Sequence, residues 1–276
     1  TAGTGCGRYS CRGLRRPVMA PVLILRPGER GEILAETLQQ QGFSVEHLNT
    51  LKLEPLPENA ESRSLWLDFD QFHKVFVISP FAAHCLEQAL DRYWPQLPVG
   101  IDYYCVGRGT ADILHQQLGV RVRVPEAERN EDTSEALLAL PSLQRVEQQK
   151  ILIVAGEGGR DLLADTLRAR GARVTRASVY QRRYQPPDSS GVARLESGNF
   201  QALIVTSGEQ LQHLAKWCNQ AALNQPLIVS SRRLATLAAE LGFCAPTVAT
   251  GATPAALTAA LTRTCNPPGA DVDQGT

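Results

Sequence analysis

The chain has 276 residues, of which 43% are hydrophobic and 20% are charged, and its 28 basic residues balance 28 acidic ones. This length favours two domains or one large one. The apolar runs, such as Val22–Leu25, are far shorter than the roughly 20 residues of a membrane-spanning helix. The zero net charge argues against a general binder of nucleic acids or of anionic membranes.

The basic residues are 24 arginines and only four lysines. Arginine has the forked side chain that binds carboxylates and phosphates, so the excess indicates an anionic small ligand. A GC-rich genome produces the same excess without any function, and composition alone does not decide between these two explanations.

The cysteines and histidines predict neither a disulfide framework nor a metal site. Seven cysteines occur without a C-x-x-C pair, and an odd count in a chain of this size is typical of reduced thiols in a reducing compartment. The five histidines form no H-E-x-x-H motif and lie near no cysteine pair, so we expect no metal.

Both ends of the chain are expected to lie outside the fold. Met19 is the only methionine and precedes the first strand-like run, so residues 1–19 are interpreted as a disordered flanking segment. This segment has no apolar stretch of the kind that a secretory signal needs. Residues 265–276 contain Pro267, Pro268 and Gly269 and are expected to be a disordered tail.

A repeat organises the rest of the chain. The segment that starts at Val22, VLIL…EILAETL…GFSV, aligns without a gap with the segment that starts at Ile151, ILIV…DLLADTL…GARV, so the copies are 151 − 22 = 129 residues apart. Each copy combines a short apolar run, an amphipathic stretch and a glycine. Self-similarity of this length indicates two copies of one supersecondary unit rather than a solenoid.

Predicted strands and helices alternate in both copies. The short apolar runs VLIL, VFVI, YYCV, ILIVA, ALIV and LIV are typical of strands buried on both faces. Amphipathic helices are predicted at 32–41, 82–89, 111–118, 161–170, 210–218 and 234–241. Four of them end at a glycine suited to the left-handed conformation that closes a helix: Gly42, Gly119, Gly171 and Gly242. The predicted fold class is α/β, with two flavodoxin-like parallel-sheet domains.

Two further segments, 51–55 and 179–185, alternate polar and apolar residues as half-exposed strands do. They occupy equivalent places in the repeat. We therefore predict that they pair as a two-stranded ladder between the two domains.

The turns after the predicted strands are the candidate ligand site, because open parallel sheets bind ligands at the carboxyl ends of their strands. Glycine and hydroxyl residues there allow backbone N–H groups to face an anion. The same residue types are ordinary helix caps, which is the favoured explanation for any single turn. The candidate contacts in these turns are Arg26, Ser79, Pro80, Gly107, Arg108, Thr110, Gly156, Arg160, Thr206, Ser207 and Ser231.

Tyr180 lies on the predicted ladder, where its hydroxyl can reach a ligand, although an ordinary sheet tyrosine fits the pattern equally well. The turn GEGGR at 156–160 lacks the spacing of a dinucleotide-binding fingerprint, and no G-K-[ST] occurs. No nucleophile elbow, Ser-His-Asp order or carboxylate pair is evident. The residues alone therefore predict a two-domain α/β protein with a cleft lined by arginines and hydroxyls.

Several segments together resemble the uroporphyrinogen-III synthase family, particularly its proteobacterial branch. They are ILIVAGEGGRDLLADTLRARGA from residue 151, VYQR from 179, VTSGEQL from 205, VGRGTA from 106, and Thr253-Pro254. The resemblance covers about residues 20–263. It depends on the order and spacing of these motifs, since none is decisive alone.

The resemblance implies two α/β domains joined by a two-stranded ladder, and a first domain that is discontinuous in sequence. It assigns residues 20–50 and 186–264 to domain 1, residues 56–178 to domain 2, and residues 51–55 and 179–185 to the ladder.

The resemblance also implies an enzyme, a lyase that cyclises hydroxymethylbilane to uroporphyrinogen III with inversion of ring D and loss of water, in haem, sirohaem and cobalamin biosynthesis. No cofactor is implied. Tyr180 is expected to act as a weak general acid on the departing hydroxyl. Thr110, the second catalytic candidate, is expected to line the cleft with Ser79.

Arginines such as Arg26, Arg108 and Arg160 are expected to meet the eight carboxylates of the substrate, together with backbone N–H groups. The sequence departs from the family at 230–233, where SSRR replaces a turn that resembles Gly-Pro-Thr-Thr in many relatives. Ser231 is therefore the weakest candidate contact.

Two other functions stay open at this point: a hinged two-lobe small-molecule binding protein without catalytic activity, and a nucleotide-dependent α/β enzyme. The first is usually exported, and no secretory signal is predicted; the second lacks a phosphate loop. The expected enzyme is a cytoplasmic monomer that binds a linear tetrapyrrole and transiently contacts hydroxymethylbilane synthase, with no nucleic-acid or membrane partner.

Overall fold

The computed structural model of the protein describes residues 19–125, 134–244 and 246–265. The predicted flanking segment and tail therefore lie outside the described residues, except for Met19 and Cys265. The chain divides into two compact units. Unit 1 comprises the described residues up to Leu51 and from Tyr184 onward, and unit 2 comprises Lys52–Arg183.

Strands and helices alternate along the described chain. The strands are β1 (Val22–Leu25), β2 (Val45–His47), β3 (Leu51–Pro55), β4 (Lys74–Val77), β5 (Asp102–Cys105), β6 (Val122–Arg123), β7 (Lys150–Gly156), β8 (Arg173–Tyr184), β9 (Ala202–Val205), β10 (Leu227–Val229) and β11 (Pro246–Val248). The helices are α1 (Glu29–Gln40), α2 (Ala60–Leu67), α3 (Pro80–Tyr93), α4 (Arg108–Leu118), α5 (Ser134–Leu138), α6 (Leu162–Ala169), α7 (Ser189–Ser197), α8 (Gly208–Ala215), α9 (Gln220–Leu223), α10 (Arg232–Glu240) and α11 (Pro254–Thr264).

Unit 1 contains a five-stranded sheet in the order β11-β10-β9-β1-β2, and its strands are paired in parallel. The side chains of β1 alternate between two apolar cores. Leu23 and Leu25 pack into one of them, and Val22 and Ile24 pack into the other. Both faces of this strand are therefore buried under helices, which is why it is apolar at every position.

Unit 2 contains a six-stranded sheet in the order β3-β8-β7-β4-β5-β6. The pairs from β8 to β6 are parallel. Val75 and Val77 of β4 pack into one apolar core and Phe76 packs into the other, so this sheet is also covered on both faces. The α/β class with parallel sheets is confirmed.

The two sheets repeat one strand order. Read from one edge, β11-β10-β9-β1-β2 corresponds to β6-β5-β4-β7-β8, and β3 adds a further strand beside β8. The repeated segments place β1 and β7 at equivalent positions. The register is also repeated, because Ile24 pairs with His47 just as Ile153, 129 residues later, pairs with Arg176.

The six apolar strands predicted from sequence are present, and the predicted left-handed glycines are confirmed, with φ between 67° and 96° at Gly42, Gly119, Gly171 and Gly242. One strand differs from expectation. Residues 179–185 do not form a separate strand, because β8 runs without interruption from Arg173 to Tyr184. No proline or glycine occurs in this stretch to break it.

The structure adds helices that the repeat does not predict, among them α2, α7 and α11. Each begins at a side-chain cap, formed by Asn59, Asp188 and Thr253 respectively. Within the described ranges, no helix combines the length and the apolar character needed to cross a lipid bilayer.

Candidate active site at the carboxyl edge of the six-stranded sheet

Three neighbouring strands of unit 2, β5, β4 and β7, end at the same edge of the sheet because they run parallel. The turn after β4 carries Ser79, the turn after β5 carries Gly107, and β7 ends at Gly156. Each turn leads into a helix. Of the predicted site residues, the structure brings Ser79 and Gly156 each into contact with Tyr180.

The Tyr180 hydroxyl lies 3.0 Å from the Ser79 hydroxyl, at hydrogen-bonding distance. Tyr180 is only 3% exposed, and its ring meets the ring of Phe81 edge-on at 5.0 Å. Ser79 is the N-cap of α3, and its oxygen accepts the N–H of Ala82 at 3.2 Å. The phenol is therefore held by apolar packing at its ring and by a helix-capping serine at its polar end.

A bulge between β7 and β8 gives Tyr180 this orientation. The register runs evenly up to the pair of Ala155 with Ser178, and then Gly156 pairs with Tyr180. Val179 is thus the extra residue. In a regular strand Val179 and Tyr180 would face opposite sides, but both pack against the core formed with α2 and α3. The bulge re-aims a single side chain, as bulges beside functional sites often do.

Gly156 is required by the Tyr180 ring. A Cβ atom at Gly156 would lie 2.6 Å from the ring carbons Cε2 and Cζ and 3.0 Å from the hydroxyl oxygen. Contacts this short cannot be accommodated without displacing the tyrosine. Its place in the predicted site is therefore explained by packing as well as by any contact with a ligand.

Thr110 lies on the next turn, in the first turn of α4, and is 4% exposed. Its hydroxyl makes no hydrogen bond to any of the described residues. The N-cap of this helix is Gly107, which has no side chain to cap it, and Arg108 is exposed at the first helical position. Pro80 is likewise the exposed first residue of α3.

The loop between β7 and α6 has an open conformation that depends on glycine. Gly158 and Gly159 have φ values of 73° and 91°. Arg176 of β8 contacts this loop at three points. Its Nη1 donates to the Asp161 carboxylate at 2.8 Å. Its Nη2 donates to the carbonyl of Gly156 at 3.3 Å and to the carbonyl of Gly158. The predicted contact Arg160 is 85% exposed and 3.8 Å from Glu135.

Unit 1 holds the other predicted contacts at the carboxyl edge of its own sheet. Arg26 follows β1 and donates to the carbonyl of Ala252 at 2.6 Å. Burial, and then the neighbouring Arg30, lower the pKa of Arg26. Its guanidinium is thus already partly engaged with the protein.

Thr206 follows β9 and is half-buried. Ser207 and Ser231 cap α8 and α10 by accepting N–H groups at 3.4 and 3.3 Å, so both have the capping role of ordinary turn serines. Ser207 also lines a groove of about 710 Å³ between α8 and α10.

A second groove, of about 780 Å³, lies in unit 2 along β8, α2 and α3. None of the predicted site residues lines it. Its polar lining includes Arg92, which pairs with Glu58 at 2.7 Å. The groove shares Glu157 and Arg176 with the loop after β7. The carboxyl edge is favoured over this groove as the reactive site because it places the hydroxyls of Tyr180 and Ser79 in contact in a partly buried setting.

The structure identifies one residue that the sequence does not single out. Arg176 is one of four arginines on β8, and no motif in the sequence marks it out. Only the distances show that it contacts the loop. Among the described residues, no cluster of three histidine, cysteine or acidic side chains is arranged to hold a metal ion.

A family model described as uroporphyrinogen-III synthase HemD matches residues 32–259 of the chain. Uroporphyrinogen-III synthase of Escherichia coli (strain K12) is 36% identical over 234 residues, which cover 80% of this chain and 92% of that protein. The chain belongs to the uroporphyrinogen-III synthase family.

Other members of the uroporphyrinogen-III synthase family are similar as well. The enzyme of Salmonella typhimurium is 37% identical over 234 residues, with the same coverage of 80% and 92%. The structure of uroporphyrinogen-III synthetase from Helicobacter pylori matches 87% of this chain and 96% of that one, with a TM-score of 0.51 and 15% identity. At that identity the match shows a shared fold.

Proposed function

We propose that the protein converts hydroxymethylbilane to uroporphyrinogen III, inverting ring D and releasing water, as a lyase of tetrapyrrole biosynthesis. The observation that carries this proposal is family membership over residues 32–259, with named synthases as relatives. The alternative of a binding protein without activity has no support from these relatives.

The Tyr180–Ser79 pair supplies the acid in the proposed reaction. Ser79 already accepts the Ala82 N–H, and its single hydrogen can be donated to the Tyr180 oxygen. The phenolic hydrogen is then available to the hydroxyl of the substrate. The C–O bond breaks, the hydroxyl leaves with this proton as water, and the electron-rich pyrrole, which keeps its N–H, becomes a cationic azafulvene.

Ring closure demands positioning rather than further chemical groups. The substituted carbon of the last ring attacks the azafulvene carbon and forms a spiro intermediate. The bond from that substituted carbon to its original bridging carbon then breaks, which leaves the bridging carbon as an azafulvene on the third ring. The free α carbon of the last ring attacks this bridging carbon, and the hydrogen that it loses when aromaticity is restored returns to the Tyr180 oxygen. The unbound tetrapyrrole closes to the other isomer without help, so the protein has to hold the substrate in a shape that is rarely populated in solution. Orientation of this kind is a large source of rate enhancement.

Thr110 is the second proposed catalytic group, because the residue is only 4% exposed at the same edge and its hydroxyl has no hydrogen-bond partner among the described residues. The remaining proposed substrate contacts are Arg26, Pro80, Gly107, Arg108, Gly156, Arg160, Thr206, Ser207 and Ser231. Arg108 and Arg160 are exposed and can each meet a carboxylate.

We further propose that the two units are flavodoxin-like domains with the boundaries predicted above, and that 51–55 and 179–185 form the ladder between them. The enzyme is proposed to be a cytoplasmic monomer that contacts hydroxymethylbilane synthase transiently. Cys85, Cys218, Cys244 and Cys265 are free thiols, which suits a reducing compartment.

The test is a product analysis. Hydroxymethylbilane is generated in situ, the protein is added, and the products are oxidised and separated into isomers I and III by chromatography. We expect isomer III to predominate with the protein and isomer I without it. An excess of isomer I that the protein leaves unchanged contradicts the proposal.

A further inference from the structure

Both terminal nitrogens of the Arg176 guanidinium bind one loop. Its side chain is 23% exposed, and its contacts reach Gly156, Gly158 and Asp161, which span the loop from the end of β7 to the start of α6. A planar guanidinium bound at several points fixes the orientation of its partners more firmly than a point charge does.

The role of Asp161 indicates that this contact takes precedence over helix capping. Asp161 is the N-cap of α6, and aspartate is among the best capping residues. Its side chain nevertheless accepts no N–H from the helix, whereas Asp188 does so at the start of α7. The Asp161 carboxylate is bound to Arg176 instead.

The repeat provides an internal reference for this loop. Gly158 and Gly159 correspond, 129 residues earlier, to Glu29 and Arg30, which form the first turn of α1. Helix α6 begins only at Leu162, so the equivalent turn is uncoiled in unit 2.

The equivalent of the Arg176–Asp161 pair is His47 and Glu32, which are 3.8 Å apart. A histidine ring lacks the fork that binds a carboxylate and two carbonyls together. The open loop and the arginine therefore occur together in one copy, and the closed turn and the histidine occur together in the other.

The contact with Arg176 also sets the direction of the loop amides. A trans peptide points its C=O and N–H to opposite sides. Because the Gly158 carbonyl faces Arg176, the N–H of Gly159 faces away from the guanidinium. The N–H groups of Gly158, Gly159 and Arg160 donate to no acceptor within the described ranges of the protein.

The loop lies directly beside the tyrosine. Gly156 pairs with Tyr180, and the N–H of Glu157 donates to the Tyr180 carbonyl at 2.8 Å. A carboxylate bound to the loop amides is thus held next to the proposed general acid.

We propose that Arg176 is a positioning residue that holds the loop 157–160 open, so that its backbone N–H groups bind a carboxylate of the tetrapyrrole substrate. This inference rests on the proposed function. The proposed role of Arg176 is to position the loop, since its two terminal nitrogens bind Gly156, Gly158 and Asp161.

Arg176→Met, which keeps the length of the side chain and removes the fork, tests the proposal. We expect the KM for hydroxymethylbilane to rise at least about tenfold, because several charge-assisted hydrogen bonds are lost, while kcat stays within about threefold. In Arg176→Lys, the KM is expected to lie between the values of the wild-type protein and of Arg176→Met. The matched control is Arg168→Met, which removes an arginine from an exposed pair with Asp165 on α6 and should leave both constants unchanged.

Hydrogen exchange gives a second measurement that does not depend on turnover. In Arg176→Met, the hydrogen-bonded amides at the two ends of the loop, Glu157 and Asp165, are expected to exchange at least about tenfold faster, with no change in β4 or β5. If Arg176→Met does not fold, Arg176→Lys carries both measurements. An unchanged KM together with unchanged exchange overturns the role of Arg176. Failure of the wild-type protein to form isomer III overturns the proposed function instead.

Discussion

Units 1 and 2 share one strand order, one register and one repeated β-α-β segment. Among the described residues, however, only unit 2 has a tyrosine and a serine hydroxyl in contact at the carboxyl edge of its sheet. Equivalent positions show where they diverge. Gly156 corresponds to Pro27, Arg176 to His47, and Tyr180 to Leu51. The shared sheet therefore provides only the edge at which a ligand can bind. A few side chains and one bulge give this edge its candidate site in unit 2.

The divergence begins in the strand that carries the tyrosine. In unit 1, β2 ends at His47. In unit 2 the equivalent strand continues as β8 through the bulge to Tyr184. Extending the strand is what places Tyr180 beside Gly156 and Ser79.

Removing the phenolic hydroxyl of Tyr180 is expected to reduce activity more than any other change proposed for the two units. Tyr180→Phe keeps the ring, its packing and the bulge, so the fold should be retained. We expect kcat to fall more than about tenfold, in keeping with the usual contribution of a general acid. Steady-state kinetics with hydroxymethylbilane measures this, and a wild-type kcat excludes Tyr180 from the mechanism.

Adding one carbon at Gly156 has the next largest effect. Gly156→Ala places a Cβ 2.6 Å from the tyrosine ring and displaces it. We expect turnover to fall about tenfold, because small displacements of a reacting group are costly. Pro27→Ala, at the equivalent position of unit 1, is the control and should have wild-type turnover; equal losses in both variants contradict the account.

Two helix caps, one in each unit, allow the catalytic and the structural effects of a capping residue to be separated. Ser79→Ala and Thr253→Ala each remove an N-cap, of α3 and α11. We expect each to lower the free energy of unfolding by about 1 kcal/mol, measured by urea denaturation. Only Ser79→Ala should also reduce kcat, by about fivefold, because only Ser79 bonds Tyr180. A capping role alone predicts the same kcat for both variants.

The smallest effect concerns Glu58, on the other groove of unit 2. The hydrogen bond from Tyr93, and then the contact with Arg92, lower the pKa of Glu58 below its ordinary value of 4.5. A lowered pKa contributes stability above pH 4.5 and loses it as the pH falls through the folded-state value.

Glu58→Gln should therefore reduce Tm slightly at pH 7, since exposed pairs contribute little, and the difference should vanish towards pH 3. Calorimetry across this range measures it. A difference that grows as the pH falls has the wrong sign for this explanation.

Much of the fold could be predicted because it depends on local patterns. Uninterrupted apolar runs such as 151–155 belong to strands buried on both faces. Gly119 and Gly171 each close a helix because glycine readily adopts the positive φ that this position requires. The α/β class follows from their alternation. The gapless repeat also indicated that β1 and β7 hold equivalent places.

The site was less predictable because it depends on register and distance. The bulge at Ala155 and Gly156 follows from no residue type, and without it Tyr180 faces the opposite side of the sheet. Arg176 differs from Arg173 only in what its fork reaches. The role of Gly156 as space for a ring also required the packed structure.

The most direct test of the central claim is the position of a bound tetrapyrrole, determined by crystallography of the protein with uroporphyrin III. The account predicts the macrocycle at the carboxyl edge of the six-stranded sheet, within hydrogen-bonding distance of the Tyr180 hydroxyl and with a carboxylate on the loop 157–160. A macrocycle bound instead in the groove along β8, α2 and α3, away from Tyr180, contradicts it.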